Sequence, residues 1–169
     1  MNQRRSFLKS TVALASVIGM PALAKAAQTA QAAPGERTLR LYNTHTGESL
    51  RSVFWAEGQF IPDALQDINK LLRDHRNNQI AAMDPKLLIL LNEVSGKFGD
   101  APLHIISGYR SPESNAKLHA NSNGVAKHSM HMEGKAIDIR MPGKDLVQVK
   151  KAAMSLRAQP ASMKCLSRP

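Results

Sequence analysis

The chain has 169 residues, enough for one domain with a hydrophobic core but too few for two domains of ordinary size. It carries 23 Lys and Arg residues against 13 Asp and Glu residues, a formal net charge of +10, which favours an anionic partner. The single cysteine, Cys165, excludes an internal disulfide.

Residues 1–26 have the pattern of a twin-arginine export signal. A twin-arginine block at 3–9 precedes an apolar run at 11–23 and a small-residue cleavage site at 24–26. A membrane anchor is the alternative, but the apolar run is shorter than the roughly 20 residues that span a bilayer. We therefore predict export by the twin-arginine translocase, cleavage near Ala26, a periplasmic location and no stable membrane anchor afterwards.

The part of the chain that would remain after cleavage is still cationic, because only four of the 23 basic residues precede Ala27. Such a chain suits an anionic envelope polymer or a membrane surface. Nucleic acid is a poor candidate partner, because the chain is predicted to be exported and lacks a set of aromatic residues on which bases could stack. Residues 27–36, rich in Ala and Gln, are predicted to form a flexible leader.

The first half of the predicted domain, which spans 37–157, supplies most of its core. Alternating polar and apolar residues predict a hairpin of two strands at 37–42 and 49–55. A helix over 62–75 follows, and then a helix over 86–98 that Asp84 and Pro85 would cap. Both helices carry apolar residues on one face, as a helix packed on a sheet requires.

The second half contains the polar segments. A short strand at 103–106 leads into Ser107-Gly-Tyr-Arg-Ser111, and a small helix at 112–119 and a polar loop at 120–126 follow. A strand at 135–141 and a helix at 145–157 complete the domain. Residues 158–169 have no periodicity and are predicted to be a disordered tail. Together these elements predict an α+β fold, a small antiparallel sheet with helices packed on one side.

Two residues that flank Gly134, His131 and Asp138, are candidate metal ligands. A catalytic zinc ion is bound by imidazole and carboxylate groups at about 2.0–2.2 Å and keeps one position open for water. Asp138 interrupts an otherwise apolar strand, and a carboxylate fixed beside a glycine turn could meet His131. The residues alone leave open the alternative of a surface histidine and an edge aspartate.

Arg110 is the second candidate, because a side chain at the end of a strand can point into a cleft. There it could clamp a carboxylate or a developing oxyanion, although a solvated arginine in a turn is the alternative. The remaining candidates are weaker. His104 is predicted to be a core residue with its hydrogen bonds satisfied, and His45 and His75 to be solvated. His119 and His128 flank the polar loop, so either could line the cleft. Glu113 and Glu133 are candidate bases.

The two segments together resemble a known family. Ser107-Gly-Tyr-Arg110, followed by Ser129-Met-His-Met-Glu-Gly-Lys-Ala-Ile-Asp138, is similar to the D-alanyl-D-alanine-type zinc peptidases, whose signature is Ser-x-His-x-x-Gly-x-Ala-x-Asp. The resemblance covers about residues 39–157. It implies a hedgehog-like peptidase fold and one Zn²⁺ ion bound by His131 and Asp138. It also implies that Arg110 contacts the scissile carbonyl or stabilises the tetrahedral intermediate, in a cleft that Ser107, Tyr109, Ser129 and His128 would line.

The resemblance further implies a substrate, the cross-linked stem peptides of peptidoglycan, and a zinc-dependent endopeptidase that hydrolyses them. In the family, a C-terminal segment rich in Gly and containing His supplies the third metal ligand. Residues 159–169 do not match that segment, so we expect the third ligand to be missing through an altered or truncated C-terminus. The alternatives are therefore a catalytically crippled or non-catalytic module that binds peptidoglycan, and a structural envelope protein with an incidental motif.

Overall fold

The computed structural model describes residues 35–122 and 124–157. The predicted export signal, most of the predicted leader and the predicted disordered tail lie outside these residues. Within the described ranges, no helix combines the length and the apolar character needed to cross a membrane.

A five-stranded sheet forms the centre of the fold, in the spatial order β3-β2-β1-β4-β5. Its strands are β1 (Arg37–Asn43), β2 (Ser49–Ala56), β3 (Gln59–Phe60), β4 (Leu103–Ser107) and β5 (Asp138–Arg140). The α+β class is confirmed, but the expectation of an antiparallel sheet is wrong at its centre, because β1 and β4 are parallel. Two helices separate these strands in the chain, and a crossover of that length lets the second strand run in the same direction as the first.

Four helices accompany the sheet: α1 (Pro62–Leu71), α2 (Pro85–Gly96), α3 (Pro112–Asn121) and α4 (Leu146–Arg157). The first three begin at a proline, which is suited to the first helical turn. Asp84 caps α2 by accepting a hydrogen bond from the Lys86 N–H, as predicted. The predicted first helix is four residues too long at its end, because the chain turns after Leu71 and directs Asp74 into the protein.

One face of the sheet packs against the helices and forms the core. The most fully buried side chains come from both layers: Leu39, Phe54, Leu103 and Ile105 from strands, and Ile68, Leu88 and Val94 from helices. The opposite face of the sheet stays open and carries polar side chains. His104 lies on this open face, half-buried against the Tyr42 ring at a centroid distance of 4.8 Å, so its predicted place in the core is wrong.

His45 and His75, both predicted to be solvated, contact each other. Their rings stack at a centroid distance of 3.8 Å, and the His45 Nε2 atom lies 2.9 Å from the Ile106 carbonyl oxygen. His45 is exposed, as predicted, whereas His75 is half-buried.

Candidate active site

A β-bulge brings the two candidate segments together. In the β4–β5 pair, Ile105 lies opposite Ile139 and Ser107 lies opposite Asp138, so that Ile106 is an extra residue on β4. Such a bulge bends its strand and changes the direction of the next side chain. Ser107 therefore lies beside Asp138 at the end of the sheet, and the Asp138 side chain is 55% exposed.

A tight turn holds His131 above this end of the sheet. Met130–Glu133 forms a single 3-10 turn, and the Ser129 hydroxyl accepts a hydrogen bond from the His131 N–H at 3.3 Å. Gly134 ends the turn in the left-handed region, at φ 65°. The Ser and Gly of the motif thus have structural roles, since one caps the turn and the other permits its end.

Gly134 is also the point where the turn contacts the loop before α2. The Asp84 N–H donates to the Gly134 carbonyl at 3.0 Å. A Cβ atom at Gly134 would collide with the Ala82 carbonyl oxygen and lie 3.0 Å from the Met83 Cα. Only glycine therefore satisfies both the backbone conformation and this close approach.

The hydrogen bond at His131 Nδ1 determines which ring nitrogen faces Asp138. Nδ1 lies 2.8 Å from the Gly108 carbonyl oxygen, and a carbonyl can only accept, so Nδ1 carries the hydrogen. In the neutral ring the lone pair is then on Nε2, which lies 3.5 Å from Asp138 Oδ2. This is the orientation that a metal-binding histidine usually obtains from its second hydrogen bond.

The distance between these two atoms fits a shared metal ion. Two ligands at about 2.0–2.1 Å in a tetrahedral zinc site are about 3.4 Å apart. The observed 3.5 Å matches that spacing and is long for a direct hydrogen bond. His131 and Asp138 therefore fit as two ligands of one zinc ion. In residues 35–122 and 124–157, no group of three His, Cys, Asp or Glu side chains completes such a site.

Arg110 is tied to the same turn through its backbone and to α3 through its side chain. Its N–H donates to the His131 carbonyl at 3.1 Å, and a guanidinium nitrogen lies 3.4 Å from Asn115 Oδ1. The amide group of the buried Asn115 donates to the carbonyls of Ala126 and Lys127, both at 3.1 Å, which leaves Oδ1 facing Arg110. The Arg110 Nε–H is buried and has no partner in the described part of the chain.

Asp74 anchors the segment that contains Arg110. Its carboxylate is fully buried and accepts hydrogen bonds from the Ser111 N–H and Oγ–H, each at 2.9 Å. Burial by itself raises the pKa of Asp74, but hydrogen bonds from Ser114, Ser111 and Arg76 outweigh it and lower the pKa to about 2. Asp74 is therefore ionised at neutral pH and holds Ser111, which in turn caps α3.

Gly108 completes this arrangement by close packing. The next residue, Tyr109, donates its N–H to the Leu72 carbonyl at 2.8 Å. A Cβ atom at Gly108 would lie 2.5 Å from that carbonyl oxygen. Gly108 therefore lets β4 run against the end of α1 while its own carbonyl orients His131.

The structure thus brings together five predicted residues: Ser107, Arg110, Ser129, His131 and Asp138. Tyr109 packs partly against the core, and His128 is exposed. Sequence reasoning missed Asp74 and Asn115. A polar residue at the end of a predicted helix and another inside a short helix gave no signal of burial.

The other predicted candidates do not join this group. His119 is exposed and its Nδ1 lies 2.7 Å from the Val125 carbonyl oxygen. Hydrogen bonds from Lys117 lower the pKa of Glu113, and those from Lys135 lower the pKa of Glu133. A lowered pKa makes a carboxylate a weaker base, so neither glutamate is tuned for proton abstraction in this conformation.

A histidine and a carboxylate 3.5 Å apart, with an arginine on the neighbouring segment, are features of a hydrolase that acts on a carbonyl substrate. The family described as "Peptidoglycan L,D-endopeptidase MepK", an M15-type peptidase family, matches residues 31–161. The chain belongs to this peptidase family and is therefore a hydrolase by class.

Two relatives show how far the similarity extends. The chain is 39% identical over 159 residues to "Peptidoglycan L,D-endopeptidase MepK" of Escherichia coli (strain K12), which covers 93% of this chain and 85% of the relative. It is 41% identical over 126 residues to "Probable peptidoglycan L,D-endopeptidase MepK" of Haemophilus influenzae, covering 73% of this chain and 68% of the relative. No solved structure shows a significant match.

Proposed function

We propose that this protein is a zinc-dependent endopeptidase that hydrolyses L,D peptide bonds in the cross-linked stem peptides of peptidoglycan. The observation that carries the proposal is the 3.5 Å separation of His131 Nε2 and Asp138 Oδ2, with Nδ1 of the same ring held by the Gly108 carbonyl. The names of the relatives, all peptidoglycan L,D-endopeptidases, support the substrate and the bond.

Each residue of the site has a distinct role in this proposal. His131 and Asp138 would hold the zinc ion, which lowers the pKa of a bound water and polarises the scissile carbonyl. Arg110 would donate hydrogen bonds to the carbonyl oxygen as negative charge develops there. Asn115 already restrains the Arg110 guanidinium, so Arg110 would lose less conformational freedom when substrate binds.

The predicted export signal supports a periplasmic location, because peptidoglycan lies outside the cytoplasmic membrane. Residues 27–169 carry 19 Lys and Arg residues against 13 Asp and Glu residues, which is consistent with a polymer whose stem peptides carry carboxylates. Passage through the twin-arginine translocase and the hedgehog-like form of the fold stay predictions.

A second candidate function is a module that binds peptidoglycan without cleaving it. The observation in its favour is that His131 and Asp138 have no third partner of a metal-binding type among the residues the structure describes. Two protein ligands bind zinc much more weakly than three, so a chain limited to these two would retain the cleft and Arg110 but lose turnover.

Zinc content and product analysis separate the two functions. The full chain would be purified, dialysed against a zinc-free buffer and measured by inductively coupled plasma mass spectrometry, alongside His131→Ala and Asp138→Ala. His128→Ala, which removes an exposed histidine, is the matched control. We expect near-stoichiometric zinc in the wild type and the control, a large loss in both ligand variants, and release of peptides cleaved at L,D bonds from purified sacculi.

Two results would change the conclusion. Zinc-free wild-type protein that still sediments with sacculi would favour the binding module. Zinc retained by both ligand variants would show that the metal is bound elsewhere and would remove the basis of the proposed site.

A further inference from the structure

The open face of the sheet carries a row of cationic and aromatic side chains. Arg40 on β1 lies directly opposite Arg51 on β2, and Tyr42 on β1 lies opposite His104 on β4. His104 in turn lies opposite Arg140 on β5. Residues directly opposite each other point to the same face, so these five side chains form one stripe across four strands, which we call the arginine stripe.

The arginine stripe begins at the candidate active site. Asp138 and Arg140 are two residues apart on β5, and residues at that spacing share a face of the sheet. From β5 to β2 the stripe crosses three inter-strand spacings, a width of about 14 Å. An extended peptide of about four residues has that length, so a substrate bound at Asp138 could reach Arg51.

Within the part of the chain that the structure describes, internal contacts leave polar groups of Arg40, Arg140 and His104 unused. Neither Arg40 nor Arg140 forms an ion pair with any residue in the described part of the chain. His104 Nδ1 is buried there without a hydrogen-bond partner. Arg40 and Arg140 therefore have charge and donors available for an anionic ligand.

The surroundings of the stripe favour a peptide over a lipid surface. Arg40, Tyr42, Arg51 and His104 line a shallow groove on the sheet, a shape suited to an extended chain. Binding to a membrane surface also uses exposed apolar side chains. The most exposed of the large apolar side chains, Leu146, Val147 and Met154, lie on α4, which packs on α2 on the helical side of the protein.

We infer that the arginine stripe binds the carboxylate-bearing stem peptide of peptidoglycan on one side of the bond to be cleaved. The inference rests on the proposed function for the identity of the ligand. The arginines would pair with the peptide carboxylates, and the Tyr42 and His104 rings would form the floor of the groove.

The test is co-sedimentation of the full-length protein with purified sacculi at low ionic strength, with Arg40→Gln/Arg51→Gln as the test variant. Lys150→Gln/Lys151→Gln, which removes two exposed cations from α4, is the control matched in charge. We expect the test variant to bind about tenfold more weakly and the control to bind like the wild type. Sacculi with amidated carboxylates should bind the wild type as weakly as native sacculi bind the test variant.

Binding and catalysis are separated by His131→Ala, because the stripe does not include His131. That variant should sediment like the wild type even if the proposed hydrolysis proves wrong. Equal weakening of the test and control variants would show a general charge effect and overturn the inference. Undiminished binding of the test variant would overturn it too, as would binding confined to vesicles of anionic phospholipid.

Discussion

Replacing Gly134 by alanine tests whether the turn at Met130–Glu133 depends on its close approach to the loop before α2. Two costs combine at this position. Alanine in the left-handed region costs about 1–2 kcal/mol, and a Cβ atom would also meet the Ala82 carbonyl and the Met83 Cα. Overpacking of that kind costs about 1–3 kcal/mol. The sum predicts a loss of about 3 kcal/mol in the free energy of unfolding for Gly134→Ala.

Two other glycines separate these costs. Gly143 has nearly the same backbone angle, φ 70°, but a Cβ atom there would have nothing within 4 Å, so Gly143→Ala should lose only about 1 kcal/mol. Gly108 is not in the left-handed region, yet a Cβ atom there would lie 2.5 Å from the Leu72 carbonyl oxygen. Gly108→Ala therefore measures the steric cost without the conformational one, about 2 kcal/mol.

Urea denaturation of the three variants and the wild type measures these differences, provided that the slope of free energy against urea stays unchanged. We expect Gly134→Ala to be the least stable, with Gly108→Ala between it and Gly143→Ala. A Gly134→Ala variant as stable as Gly143→Ala would refute the reasoning, because the turn and the loop would then have room for a side chain.

Three further outcomes follow from buried polar groups. Because the pKa of Asp74 is about 2 in the folded protein, its ionised carboxylate contributes fully to the free energy of unfolding above about pH 4, and this contribution disappears as the pH falls toward 2. Urea titrations should show a loss of about 2 kcal/mol over this range, and Asp74→Asn should remove the pH dependence. Asn115→Ala should slow sacculus hydrolysis about 10–100-fold by releasing Arg110, with zinc content unchanged; loss of zinc would contradict a positioning role. Asn43→Ala should cost about 2–3 kcal/mol of stability, because the Leu71 carbonyl loses its buried donor, and a cost below about 0.5 kcal/mol would contradict this.

The local elements of the fold were predictable, because each has a local cause. The Asp84 cap, the prolines at three helix starts and the alternation in β1 and β2 all act within a few residues. The parallel pairing of β1 with β4 was not predictable, since nothing in either strand specifies a partner some 60 residues away. The end of α1 was misplaced for a related reason, because the contacts that turn Asp74 inward come from Ser111.

The candidate site also combines features that the sequence predicts with features that it does not. The glycine turn between His131 and Asp138 made their proximity predictable, and the structure places their side chains 3.5 Å apart. That His131 and Asp138 bind zinc stays a prediction. The bulge at Ile106 and the packing of Gly108 against Leu72 depend on the assembled sheet, so no short stretch of sequence predicts them.

The parallel β1–β4 pair also determines when the site can form. Pairing Leu41 with Leu103 closes a loop of about 60 residues, and contacts of such separation form late and slowly in folding. The Gly108 carbonyl and Arg110 follow directly after β4, so the cradle for His131 has no fixed shape until that loop has closed. In a nascent chain, His131 and Asp138 are therefore separate side chains with no fixed spacing. If His131 and Asp138 hold zinc as proposed, the ion binds late in folding, and the rate of sheet closure limits how soon a newly made chain acquires it.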